Sequence, residues 1–219
     1  PMYLTTQVIM WNSDRVSAPD QQDIRQHGLD ALLNPKWKGQ IAVTTAEAGG
    51  GQLGGYYQII QDPKYGWAYL EKLAAQNTKV YQSSITLAAD MVAGEFALGV
   101  GGSDTVAWPQ ISKGAPLGFA YYGDTISSEQ AMFISSHAPH PSAARLFMEW
   151  GTSLPAQEQM AEISGGLISH SDWHDTRTIT KKDWYTAPKK LDYAWASDPQ
   201  FNKDADSIVR RWVSLFKKS

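Results

Sequence analysis

Four places in this chain combine residue types that could do chemistry. The first is Gly49-Gly50-Gly51-Gln52-Leu53-Gly54, which follows Thr44-Thr45 and satisfies G-x-G-x-x-G at Gly49, Gly51 and Gly54. Glycines at that spacing let backbone N–H groups and a helix N-terminus close on a pyrophosphate. The second is Ser83-Ser84, two hydroxyls between an extended segment and a helical stripe. The third is Gly101-Gly102-Ser103-Asp104, where Asp104 could meet a cation, a hydroxyl or an amine, with Tyr121-Tyr122 closing a later strand. The fourth is the run from Ser169 to Asp175, which sets His170 and His174 among Asp172 and Asp175 in the manner of a metal-dependent hydrolase.

Most of the enzymatic readings fail on spacing. A dinucleotide fold needs an acidic residue about 20 positions on, at the end of the next strand. Glu71 has that separation but lies inside WAYLEKLAAQ, a helical pattern, and the next strand begins only near residue 78. No Gly-Lys-Ser/Thr follows to make a phosphate loop, and the His170–His174 run lacks both helical periodicity and the glutamate of H-E-x-x-H. Gly102-Ser103 has no second glycine to build a nucleophile elbow. No catalytic constellation, resident metal or cofactor is therefore expected. What survives is binding of a small polar or anionic ligand at strand ends that lead into helix N-termini. The candidates are Thr44, Thr45, Gly50, Gly51, Gln52, Ser83, Ser84, Ser103, Asp104, Tyr121 and Tyr122.

The rest of the chain must position them. Its 219 residues are 42% hydrophobic and 19% charged, enough to bury a real core. A net charge of −3, with basic residues scattered apart from a few short pairs, argues against a nucleic-acid partner. No apolar run approaches the roughly 18 residues of a membrane span. Cysteine is absent, which removes thiolate chemistry and fits an oxidising compartment.

Extended segments are expected at YLTTQVIMW, IAVTT, TKVYQ, FALGVG, LGFAYY and QAMFIS. Helices are expected around residues 19–33, from YYQIIQ after a glycine loop, after Asp62-Pro63, after Ser83-Ser84, after Pro141 and over PAQEQMAEI. A last helix from about Phe201 carries Ile208, Val209, Trp212 and Phe216 on one face, with Lys217 and Lys218 at its C-terminal end. Strands alternating with helices give an α/β fold.

The stretch LLNPKWKGQIAV before the glycine-rich turn resembles a signature of extracellular solute-binding proteins, the binding components of ABC importers. It is similar to the branch that includes ferric-iron, thiamine, phosphonate and sugar-phosphate binders. WAYLEKLAAQNTKVYQSS, MVAGEFALGVG, KGAPLGFAYYGDT, HPSAARLFMEWGTSLPAQEQMAE and GGLISH follow in the same order, so the likeness covers about residues 6–170. It implies a two-lobe periplasmic-binding-protein-like fold (type II) that captures a solute between lobes, with a membrane permease as partner and a periplasmic or extracellular location. The first half of the amino-terminal lobe is then expected to be absent here. Residues 1–12 would cross between lobes, 13–125 would form the second lobe, and 126–219 would return and pack on both. Iron-binding relatives place two adjacent tyrosines after the GEFALGV strand, where this chain reads GGSDTVAW. An organic or phosphorus-containing anion is thus the expected ligand, and ferric iron the alternative. A missing segment or second chain is expected to cover the apolar face of the last helix.

Overall fold

The computed structural model describes residues 1–123, 125–192 and 194–217, so Asp124 of the KGAPLGFAYYGDT match and Lys218 of the expected terminal pair lie outside the described residues. β1 (Tyr3–Asn12) is the organising strand, and its two halves have different neighbours. Its carboxy-terminal half lies between β4 (Leu98–Ser103) and β5 (Leu117–Ala120), antiparallel to both, with Ile9 opposite Val100 and Ala120. Its amino-terminal half pairs instead with β6 (Thr125–Gln130), setting Thr5 opposite Ser128 and Thr6 opposite Ser127. Gln7 and Val8 on β1 pair with Ser103 and Gly102 of β4 and, among the described residues, with neither β5 nor β6.

Beyond β4 the sheet continues in parallel with β2 (Ile41–Thr44) and β3 (Lys79–Tyr81), so the order through β5 is β3-β2-β4-β1-β5. β7 (Leu191–Asp192) adds to β6.

Alternation along β1 divides the core. Ile9 and Trp11 point to one face, where α1 (Ala18–His27), α2 (Gly50–Gln61), α3 (Gly66–Ala75) and α8 (Pro199–Phe216) pack. Val8 and Met10 point to the other, under α4 (Ser84–Val92) and α5 (Asp104–Ile111). Period-two alternation in a strand covered on both sides produces this division directly. α6 (Pro141–Gly151) and α7 (Leu154–Ser164) follow β6, and the left-handed Gly165 (φ 76°) ends α7.

Three expectations need correction. The glycine run is not a loop: α2 begins at Gly50, so Gly50, Gly51, Gly54 and Gly55 are helical. The strand expected at QAMFIS falls earlier, at TISSEQ, because that register pairs with β1; Phe133 is left 88% exposed. The face of the last helix is not bare. Ile208, Trp212 and Phe216 are buried, and the Trp212 ring stacks on Phe216 at 4.4 Å beside Tyr56 of α2. The bare face belongs to α6, where Leu146, Phe147 and Trp150 are 68%, 53% and 51% exposed.

Candidate functional site

β2, β3 and β4 run in parallel, and α2, α4 and α5 start just beyond their carboxy-terminal ends. The three helix N-termini are finished differently. At α4, Ser83 accepts a hydrogen bond from Ile85 N–H at 3.1 Å, an ordinary N-cap. At α5 the fully buried Asp104 supplies a carboxylate. Its Oδ1 accepts from Thr105 N–H (2.7 Å) and from Thr6 N–H of β1 (3.0 Å), and its Oδ2 accepts from Tyr121 O–H (3.2 Å). Burial pushes its pKa up to about 7, opposed by these hydrogen bonds and by the Arg177 charge.

α2 has no side-chain cap. Gly49 and Gly50 adopt left-handed φ of 68° and 50°, turning the chain into the helix. The first intrahelical bond is Leu53 N–H to Gly49 C=O, and the N–H groups of Gly50, Gly51 and Gln52 have no acceptor among the described residues. The glycines further into α2 allow close approach. A Cβ on Gly51 would lie 2.8 Å from Ser128 Oγ and 3.2 Å from Gln7 Nε2, and one on Gly54 would lie 2.7 Å from the Trp195 ring. The G-x-G-x-x-G match thus seats a helix against β1, β6 and Trp195, at the cost of poor helix propensity.

That seating exposes a polar floor absent from the sequence reading. Gln7 is 3% exposed, yet its Oε1 is buried without a partner and its Nε2 has none among the described residues. Beside it the half-buried Ser128 also has no side-chain partner among the described residues. Ser103, opposite Gln7 in the β1–β4 register, shares a 3.1 Å hydrogen bond with Thr105, whose hydroxyl reaches Thr5 at 3.5 Å. The polar run Thr5-Thr6-Gln7, ahead of the apolar stretch Val8–Trp11, was the available signal.

The other candidates are spent elsewhere. Thr44 is buried, donating to the carbonyls of Val100 (3.2 Å) and Gly101 (2.5 Å), where the left-handed Gly101 bulges β4. Thr45 is buried, accepting from Glu47 N–H (3.3 Å) and donating to Glu47 Oε2 (2.9 Å), while Glu47 pairs with Lys217. Ser84 is buried within the first turn of α4. Asp104 is fully buried, with both oxygens already hydrogen-bonded within the fold.

Tyr121 reaches Asp104, and the Tyr122 hydroxyl lies beside Gly55 of α2, next to Gln7. Both tyrosines line a cavity of about 700 Å3 near the far end of α2, beside Gln58, Gln61 and Asp62. A helix of that length separates its ends by roughly 18 Å. Burial raises the pKa of both phenols well above the ordinary value, so neither is poised as a phenolate. In the His170–Asp175 run, Asp175 is committed to Arg177 (Oδ1–Nε 2.7 Å) and to Tyr185. Among the described residues no three His, Asp or Glu side chains gather where they could hold a metal ion.

Comparison with known proteins agrees with this architecture. No curated protein matches the sequence. Among solved structures, the substrate-binding protein of an ABC transporter from Agrobacterium tumefaciens aligns at TM-score 0.69 and 18% identity, over 99% of this chain and 66% of that one. The periplasmic binding protein AfuA from Actinobacillus pleuropneumoniae, with exogenous fructose-6-phosphate bound, aligns at TM-score 0.66 and 19% identity, over 99% and 68%. Ferric iron-binding protein A of Mannheimia haemolytica, in an open conformation, aligns at TM-score 0.66 and 18% identity, over 98% and 68%. The chain therefore spans about two thirds of the length of these structures, all of the periplasmic-binding-protein-like fold. A family model for bacterial extracellular solute-binding proteins matches residues 1–191, and the chain belongs to that family.

Proposed function

We propose that this chain is the larger part of the solute-binding component of an ABC importer, working in the periplasm or at the cell surface and delivering its solute to a membrane permease. The solute is a small organic or phosphorus-containing anion, held without turnover at the N-terminus of α2. The observation that carries this reading is the set of unpartnered N–H groups of Gly50, Gly51 and Gln52 at a strand end. Open helix N-termini suit anions through both hydrogen bonds and the dipole. Residues 13–125 then form one lobe, β1 and β6 are crossing strands, and the remainder returns to pack on both lobes. The bare apolar stripe of α6 supports a further segment or chain as the other wall, since exposed patches of this kind mark contact surfaces.

Ferric iron, bound by one structural neighbour, fits less well. Hard oxygen ligands such as phenolate and carboxylate would be needed. Here Asp104 is fully buried and hydrogen-bonded through both oxygens, and burial raises the pKa of both Tyr121 and Tyr122. Protein purified under native conditions should be colourless, without the phenolate-to-iron absorption band.

Native mass spectrometry of such protein tests the reading, by identifying any co-purified solute and titrating it into wild type and Gly51→Ala. An anion bound by wild type and weakened about tenfold or more in the variant supports the cradle. A stoichiometric metal ion, or an anion bound equally by both proteins, refutes it.

A further inference from the structure

We infer that Gln7 and Ser128 read a hydroxyl on the solute beside its anionic group, so that the ligand class is a hydroxylated oxyanion rather than a simple one. This rests on the anion-capture reading above. The two residues come from different strands, β1 and β6, and the register sets Ser128 opposite Thr5, on the same face of β1 as Gln7. Both lie against the first turn of α2, flanking the place where a Cβ on Gly51 would sit.

Gln7 is the unusual member. A buried primary amide carries two donors and a carbonyl acceptor, and such groups are almost always hydrogen-bonded in folded proteins. Leaving one unmade costs more than an apolar residue of the same shape would. The Gln7 amide is nearly inaccessible and bonded to nothing among the described residues. Around Gly51 and Gly55 of α2 lie the hydroxyls of Ser128 and Tyr122, and the Gln7 Oε1 bonds to neither. The neighbouring floor of Thr5, Ser103 and Thr105 is uncharged, with its hydroxyls already linked to one another.

A bare oxyanion on the α2 N–H groups would engage only donors. The amide and the Ser128 hydroxyl can both accept and donate, which matches an alcohol, itself donor and acceptor. A site built to hydrogen-bond a substrate hydroxyl rejects the analogue lacking it, because its own polar groups are then stranded. The oxyanion could be a phosphate monoester or a carboxylate, and the probes below separate the two.

Calorimetric titration of the 219-residue chain with two matched pairs tests the inference: glycerol 3-phosphate against propyl phosphate, and glycerate against propionate. The hydroxylated member of at least one pair should bind about 5- to 10-fold more tightly, and that pair identifies the oxyanion. Gln7→Leu and Ser128→Ala should each shrink the preference below about twofold, chiefly by weakening the hydroxylated probe. Equal binding within both pairs, or a preference that survives in both variants, overturns the hydroxyl reader and leaves anion capture standing. Binding of none of the four probes overturns anion capture, and the reader with it. Melting temperatures of the variants guard against misfolding, and Gln7→Leu should melt no lower than wild type.

Discussion

The N-termini of α2 and α5 follow two neighbouring parallel strands, β2 and β4, and are finished in opposite ways. α5 carries its own acceptor, since the buried Asp104 accepts from α5, from β1 and from Tyr121 through both of its oxygens. Among the described residues α2 carries none, and the Oε1 of the glutamine beside it has no partner either. A glycine-rich entry and an acidic residue are equally suggestive in the sequence. Satisfaction of the polar groups separates them: the closed terminus stabilises the fold, and the open one is where interaction energy has been left for a ligand.

The sharpest way to break this contrast is to empty the closed site. Asp104→Ala leaves Thr6 N–H, Thr105 N–H and Tyr121 O–H without an acceptor in a buried place. Urea unfolding should show a loss of about 3 kcal/mol. If the variant is as stable as wild type, Asp104 is not structural and the contrast collapses.

Titration of the same carboxyl gives a somewhat smaller effect. Its folded pKa of about 7 exceeds the ordinary 3.8, so the folded state holds the proton more tightly. Stability from this group is fully present below about pH 4 and is lost as pH rises through 7. The wild type should lose about 2 kcal/mol between pH 5 and pH 8, and Asp104→Asn should be nearly flat over that window. Asp175, held below its ordinary range chiefly by its Arg177 hydrogen bond against the cost of burial, changes stability only at more acidic pH. A stability that rises over that window in wild type but not in Asp104→Asn would contradict the assignment.

At the open terminus, packing can be separated from binding. Gly54→Ala places a methyl group against the Trp195 ring and should destabilise by about 1–2 kcal/mol in thermal or urea unfolding. Ser83→Ala, which removes the cap of α4, should cost about 1 kcal/mol without altering anion binding. The smallest effect is the most telling in sign. Gln7→Leu should leave stability unchanged or raise it by up to about 1 kcal/mol, as expected where an unsatisfied polar group is kept for function. A marked loss would make Gln7 a structural residue.

Much of this was legible from local pattern. The extended reading of YLTTQVIMW and the periodicity of the last helix placed β1 and α8 nearly to their ends. What periodicity could not reveal was which partner each face would find. The apolar face of α8 met Tyr56, whereas Leu146, Phe147 and Trp150 of α6 stay exposed. The glycines at 50–55 read as a loop because their helical propensity is poor. The reasons for them, Gln7, Ser128 and Trp195, lie 43 or more residues away in sequence. Asp104 stood out as a candidate because a charge draws the eye, while Gln7 and Ser128 are ordinary letters until the fold leaves them without partners.

The central claim, that α2 and not α4 or α5 presents the open anion site, has one direct measurement. Inorganic phosphate is titrated into isotopically labelled protein while backbone amide chemical shifts are followed. The account predicts saturable shifts at Gly50, Gly51 and Gln52, with the amides of Ile85 and Thr105, already bonded to Ser83 and Asp104, unmoved. Shifts centred on Ile85 or Thr105, or none at Gly50–Gln52, would contradict it.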